Sequence, residues 1–235
     1  MSDLPEKERY SVPLSPDLIT DPDEIAKAEA RNSLRQFDSA MEMVEYHLDP
    51  ERPFKLRPSA LLRLQGIALE GISHYAGITR PAGIGIAGSQ HKPVDAFLVP
   101  QHMEELCDYV NDKWNTASAI HLAAYVMWRL NWIHPFVDGN GRTSRTASYL
   151  ILCTKLGYRL PGSNTIPDQI SANKKPYYDA LEAADTAYLK GTIDVRQLED
   201  LLGNMLANQL YKVHQDALGT SPVTSEEPDS NHPSR

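Results

Sequence analysis

One contiguous run, His134-Pro135-Phe136-Val137-Asp138-Gly139-Asn140-Gly141-Arg142-Thr143-Ser144-Arg145, brings together a titratable base, a carboxylate, two glycines and two arginines. A histidine with an ordinary pKa near ~6.5 is largely neutral and basic at cell pH. A carboxylate such as Asp138 is a typical protein contribution to a magnesium ion that also binds phosphate oxygens and water. Guanidinium groups grip phosphate oxygens two at a time. These are the parts of a site for a nucleoside polyphosphate with a base beside it.

The flanking segments predict how the parts are held. Ala119 to Trp132 is apolar and helix-forming, and Pro135 disfavours helical backbone at His134, so the helix is expected to end there with His134 extended. Thr143 to Leu156 resumes a helical pattern, with apolar residues at Ala147, Leu150, Ile151 and Leu156. Gly139-Asn140-Gly141 then falls in a tight turn that opens the second helix. Such a turn leaves backbone N–H groups without partners, and with the helix dipole it makes an anion site. Arg142 and Arg145 share a face of the first turn, where cations oppose the dipole; that mismatch points to an anionic ligand. Phe136 and Val137 read as an apolar plug. Taken singly, His-Pro usually stops a helix, Gly-Asn-Gly usually makes a turn, and two arginines at helical spacing usually face solvent. Their contiguity favours a site.

The run resembles the signature of Fic domains, His-Pro-Phe-x-(Asp/Glu)-Gly-Asn-Gly-Arg-x-x-Arg, and matches it at each fixed position, with related features over roughly residues 60 to 205. The resemblance implies an all-α fold, a helical bundle carrying a small β-hairpin flap. It implies transfer of AMP from ATP, with Mg2+, to a Ser, Thr or Tyr hydroxyl of a target protein or of the chain itself. By the same resemblance His134 is the base and Asp138 the magnesium ligand. Gly139, Asn140 and Gly141 form the anion hole around the α- and β-phosphates, Arg142 meets the β-phosphate and Arg145 the γ-phosphate. Kinase-like Doc relatives depart from the Gly-Asn-Gly-Arg core, so the two arginines favour AMP transfer over phosphate transfer. Phosphocholine transfer differs in donor orientation and leaves the signature unchanged.

Gly66-Ile67-Ala68-Leu69-Glu70-Gly71 resembles the family's inhibitory motif, (Ser/Thr)-x-x-x-Glu-(Gly/Asn), placed N-terminal to the core as in self-inhibited class II members. The resemblance implies that Glu70 pairs with Arg145 and occupies the γ-phosphate position; in some members the same glutamate helps a water remove AMP from the target. Gly66 replaces the usual hydroxyl residue, and Gly66 and Gly71 each cost about 1 kcal/mol in a helix interior, so a looser brake is expected. A brake glutamate could otherwise be an ordinary surface residue. Residues 84–99, with glycines, prolines and β-branched runs, read as a hairpin or flap and resemble the Fic flap on which a target adds as a strand. Tyr177 and Tyr178 resemble residues near the adenine; an aromatic there stacks on a base or fills the core. His74 and His91 have no second ligand at a zinc-like spacing and read as surface or structural residues.

The chain has 235 residues, with 41% hydrophobic and 23% charged, as expected of a soluble globular protein. A formal net charge of −8 argues against nucleic acid as a partner. The two cysteines, Cys107 and Cys153, form no metal motif, the N-terminus lacks a signal-peptide core, and no apolar run is long enough to span a membrane, so a cytoplasmic location is expected. The expected organisation is an N-terminal helical extension over 1–57, a Fic domain with its inhibitory helix over 58–215 and a disordered tail over 216–235; residues 1 to about 20 are expected to be loose, and the chain stops too soon for the winged-helix domain that some relatives carry. Helices are expected over Asp23–His47, Pro58–Tyr75, Val99–Asn111, Ala117–Trp132, Thr143–Leu156, Pro176–Leu189 and Asp194–His214. Family members often dimerise, which makes a homodimer an expectation by analogy. The leading function is thus a self-inhibited adenylyltransferase. The rivals are net removal of AMP, with Glu70 positioning water, and a nucleotide-responsive binding protein with little turnover.

Overall fold

A computed structural model describes residues 17–219, so most of the expected loose N-terminus and nearly all of the expected disordered tail lie outside the described residues. The described residues fold as eight α-helices: α1 Pro22–His47, α2 Pro58–Leu69, α3 Val99–Lys113, α4 Ala119–Ile133, α5 Asn140–Leu156, α6 Ile166–Ala172, α7 Lys175–Leu189 and α8 Arg196–Ala217. A single 3-10 turn, Ala96–Leu98, leads into α3. Among the described residues there is no strand, only one isolated bridge between Asp17 and Ser73. No helix among them is long and apolar enough to cross a membrane.

Local chemistry sets the helix ends. Asp21 caps α1 by accepting from the Glu24 N–H at 2.9 Å, and Ser118 caps α4 by accepting from the His121 N–H at 3.0 Å. Helix α5 stops at Gly157, whose φ of 81° supplies the left-handed cap. Helix α6 escaped the sequence reading, although Thr165 and Asp168 form a reciprocal capping box that was there to be read.

Helices α4 and α5 pack against each other at the centre. Every residue of α4 from Leu122 to Leu130 is buried, as is nearly all of α5 beyond its first turn. A helix buried all round must be covered on each side: α1 and α2 cover α5, while α3, α7 and α8 cover α4. Helix α1 brings Ala40, Met41 and Val44 into the same core as Leu61, Leu64 and Phe136. It also brings two buried amides. Asn32 donates to the carbonyl of Glu70 at 2.8 Å, and Gln36 donates to the carbonyl of Leu64 at 3.0 Å and accepts from the Thr146 hydroxyl at 3.1 Å. Those bonds fix the end of α2 against the start of α5, where the motif lies.

One expectation about α2 is corrected. The helix ends at Leu69, not near Tyr75, because Glu70 leaves the helical region and Gly71 follows with φ of 72°. Gly66 also has a packing reason: a Cβ there would stand 3.2 Å from the Cα of Gly77, so the α2 backbone meets the following turn at a distance that a serine or threonine would disturb.

Candidate active site

The site is built where α4 ends and α5 begins. Helix α4 ends at His134, which adopts φ 51° and ψ 59° and is the one non-glycine residue with positive φ among those described. The expected extended backbone at His134 is therefore corrected to a left-handed helix cap. Pro135 still stops the helix, and the His134 N–H makes the last i to i−4 bond of α4, to the Leu130 carbonyl at 3.0 Å, before the chain turns left-handed. The next carbonyls of α4 are met by side chains. Asn131 O receives His134 Nδ1 at 3.2 Å, Trp132 O receives His91 Nε2 at 2.7 Å, Ile133 O receives Arg80 Nη2 at 3.5 Å and His134 O receives Arg80 Nε at 2.7 Å.

The bond to Asn131 O places the imidazole proton on Nδ1 and leaves Nε2 as the basic nitrogen. Burial is the largest influence on this histidine and lowers its pKa; Arg80 and His91 lower it further, against the raising effects of the Asn131 carbonyl and Asp138. His134 is thus a neutral acceptor at neutral pH. It opens, with Asn131, Trp132, Tyr178 and Asp185, onto a cavity of about 450 Å³ whose other wall is Ile86–Ser89 and His91.

The loop from Phe136 to Asn140 closes on itself. The Asn140 side chain accepts from the Phe136 N–H at 3.0 Å and donates to the Phe136 carbonyl at 2.9 Å, while Phe136 is buried as the expected plug. Gly139, at φ 80°, caps α5, and a Cβ there would stand 3.7 Å from Leu69 of α2. Helix α5 starts at Asn140, one turn earlier than its apolar pattern suggests. Its first N–H groups, on Asn140, Gly141 and Arg142, have no intrahelical acceptor and no side-chain cap. Gly141 and Arg145 fit together: a Cβ on Gly141 would stand 3.2 Å from Arg145 Nη1, so the guanidinium folds back toward the helix start.

The two arginines line one cavity of about 350 Å³ between α1, α5 and the segment before α6. Arg142 Nη2 lies 3.1 Å from Asp138 Oδ2 and 3.0 Å from Glu29 Oε1 of α1, and its Nη1 is buried with no acceptor among the described residues. Arg145 makes no ion pair among the described residues. The pairing of Glu70 with Arg145 is corrected: Glu70 Oε2 meets Arg35 Nη2 of α1 at 2.7 Å. With α2 ended at Leu69, the Glu70 side chain leaves along α1 and both partners stay largely exposed.

The tyrosine pair separates. Tyr177 is 1% exposed, and its hydroxyl meets Asn131 Nδ2 at 2.8 Å and Ser144 Oγ at 3.4 Å, so it supports the site from within the core and cannot stack on a base. Tyr178, 50% exposed, faces the cavity of His134. The flap segment forms one tight turn, with Ser89 N–H on the Ile86 carbonyl at 3.2 Å and Gly88 at φ 77°, but no hairpin ladder; both sides of 84–95 lack a neighbouring strand among the described residues. Arg80, Gln65, Glu29 and Arg35 are the residues that sequence reading missed here. Gln65 donates to the Asp138 carbonyl at 3.2 Å and accepts from the Gly77 N–H at 2.6 Å, tying α2 to the motif loop.

A helical bundle with a left-handed histidine at one helix end, a glycine-capped helix start and two arginines on one cavity is the arrangement to set beside a known family. The sequence model of that family, Fic/DOC, matches residues 55–152. A Fido domain-containing protein of Dictyostelium discoideum is 33% identical over 122 residues, which span 49% of this chain and 79% of that protein. The chain belongs to the Fic/DOC family. It is also similar to protein adenylyltransferase fic-1 of Caenorhabditis elegans, 38% identical over 61 residues that span 26% of this chain and 12% of that protein. The crystal structure of a Fic family protein from Desulfovibrio desulfuricans G20 superposes with a TM-score of 0.64 at 25% identity, covering 88% of this chain and 57% of that one. The BepC protein of Bartonella tribocorum, solved with bound AMPPNP, shares the fold at a TM-score of 0.54 and 18% identity, over 80% of this chain and 88% of that one.

Proposed function

We propose that this chain is a protein adenylyltransferase that moves AMP from Mg-ATP to a Ser, Thr or Tyr hydroxyl of a target protein or of itself. The observation that carries the reading is the set of donors at the start of α5 that find no acceptor among the described residues: three backbone N–H groups, the buried Nη1 of Arg142 and, beside them, the guanidinium of Arg145, which makes no ion pair there. Buried donors are normally satisfied, and a polyphosphate supplies the missing acceptors. BepC, which shares the fold, is a protein solved with a bound nucleotide analogue, and fic-1 carries the adenylyltransferase name.

In this reading the nucleoside lies in the cavity of His134 and Tyr178, and the β- and γ-phosphates reach Arg142 and Arg145. A target hydroxyl, aligned by main-chain pairing along 84–99, gives its proton to His134 Nε2 as its oxygen attacks the α-phosphorus. The bond to the bridging oxygen breaks and pyrophosphate leaves with the electron pair. The open N–H groups and the arginines stabilise the charge that develops. Asp138 is the residue that would hold Mg2+. Its exposed carboxylate beside the α5 start fits an ion that arrives with its nucleotide, as one carboxylate plus phosphates requires; among the described residues no cluster of three ligating side chains forms a resident site. An ion held by Asp138 would supply neutralisation of the phosphate charge.

The brake belongs to the same reading. In this structure Glu70 holds Arg35 in an exposed, weak pair, and inhibition by Glu70 would require that pair to open. A second reading, removal of AMP by a water held on Glu70, is favoured by the exposure of that carboxylate outside any bond to Arg145. Intact mass after incubation with Mg-ATP separates them. A gain of one adenylyl group by Glu70→Gly and none by Glu70→Gly/His134→Ala supports transfer. Loss of AMP from a pre-modified target, abolished by Glu70→Gly, supports removal. If neither change occurs, self-modification and removal both fail, and transfer stands only for an outside target, whose failure to gain AMP from Glu70→Gly protein would sink it.

A further inference from the structure

We propose that Arg80 is a positioning residue: one buried guanidinium that fixes the left-handed His134 and both feet of the 82–94 segment as a single unit. The inference rests on the transferase reading only for its kinetic part. Arg80 is 2% exposed. Its Nε donates to the His134 carbonyl at 2.7 Å and its Nη2 to the Ile133 carbonyl at 3.5 Å. Its Nη1 donates to the Ala82 carbonyl at 2.9 Å, Nη2 also donates to the Val94 carbonyl, and its own N–H donates to the Pro135 carbonyl at 2.8 Å. One side chain therefore meets the end of α4 on one edge and the start and finish of a surface segment on the other.

The geometry suits arginine and no other residue. The acceptors are carbonyls spread around a plane, which a rigid fork of five N–H donors can meet together and a lysine ammonium cannot. A cation here also lies at the C-terminus of α4, where the dipole and the unpaired carbonyls favour it. The strain of a left-handed histidine persists only where its surroundings over-determine it, and Arg80 holds the carbonyl of that very residue. No residue from 81 to 94 is fully buried, so the segment has little packing of its own and depends on its two anchored feet and on one further bond, from His91 Nε2 to the Trp132 carbonyl. The base and the surface that would offer it a hydroxyl are thus set relative to each other through Arg80, whose buried side chain is spent on backbone carbonyls.

The test uses the full chain and Arg80→Lys. Hydrogen exchange over 82–94 is expected to speed up roughly tenfold or more, with α3 and α5 unchanged. In the adenylylation assay kcat is expected to fall roughly a hundredfold, as for a base misplaced by about an ångström, while the KM for ATP stays within a few-fold. Unchanged exchange overturns the proposal even if the chain transfers nothing, so the two readings fail separately. A KM for ATP that rises in step with the loss of kcat overturns it too, since that marks general collapse of the site. Should Arg80→Lys not fold, the wild type decides: a slowly exchanging Arg80 Nε–H resonance is expected by NMR, and its rapid exchange with water overturns the proposal.

Discussion

The two segments that meet at His134 are held in opposite ways. Residues 133–140 are packed from within: Ile133, Pro135, Phe136, Gly139 and Asn140 are buried, and Asn140 returns two bonds to Phe136. Residues 81–94 have no fully buried member and keep their shape through two feet, one turn and the His91 bond to the Trp132 carbonyl. The first segment is complete as it stands. The second offers backbone groups that a strand from elsewhere would complete. The contrast suits a reaction in which the phosphate donor is held the same way in every cycle and the acceptor protein brings part of its own alignment.

Four changes would break or sharpen this contrast. His134→Ala removes the base from the locked loop and is expected to lower adenylylation roughly a hundred- to ten-thousandfold. Because burial, Arg80 and His91 lower the His134 pKa against Asp138 and the Asn131 carbonyl, the wild-type rate should fall with acid only below the ordinary histidine value of ~6.5. A rate that falls from pH 8 downward would remove His134 as the base. Asn140→Ala leaves a buried N–H and carbonyl of Phe136 without partners, a loss of roughly 2–4 kcal/mol. Calorimetry should show Tm lower by roughly 5–15 °C, and no shift would mean that the loop is not self-supporting. Gly88→Ala, in the open segment, faces nothing within 4 Å but forces alanine into positive φ at a cost of about 1 kcal/mol. Its Tm should fall by only roughly 2–4 °C; a drop as large as that of Asn140→Ala would erase the distinction. Glu29→Gln removes a carboxylate that competes with phosphate for Arg142, and titration calorimetry should find ATP bound roughly two- to fivefold tighter. Weaker binding would mean that Glu29 orients Arg142 for the nucleotide.

How much of this was legible follows from distance along the chain. The motif turn is local, so Pro135, Gly139 and the resumption of apolar spacing after Thr143 were enough to place two helices and the turn between them. The backbone of His134 was misjudged because the rule for residues before proline describes an isolated dipeptide, whereas here a helix cap and Arg80 override it. Tyr177 and Tyr178 differ by one residue, and helical spacing alone cannot say which of two neighbours faces the core. The reach of α1 was beyond any local signal: Gln36 meets Thr143 and Thr146 from 107 and 110 residues away. The family pattern located Glu70 but not its neighbour Arg35, which belongs to α1 and to no motif.

The buried amides of α1 bear on where this fold can be cut. Similarity to the family begins at residue 55, yet Asn32 and Gln36 lie before it and fasten α2 to α5. A polypeptide started at the similarity boundary would keep the whole signature and lose the clasp that seats it. Leu61 and Leu64 would be uncovered, and the carbonyls of Leu64 and Glu70 would lose their donors. The recognisable portion of the chain is therefore smaller than the portion that must fold together.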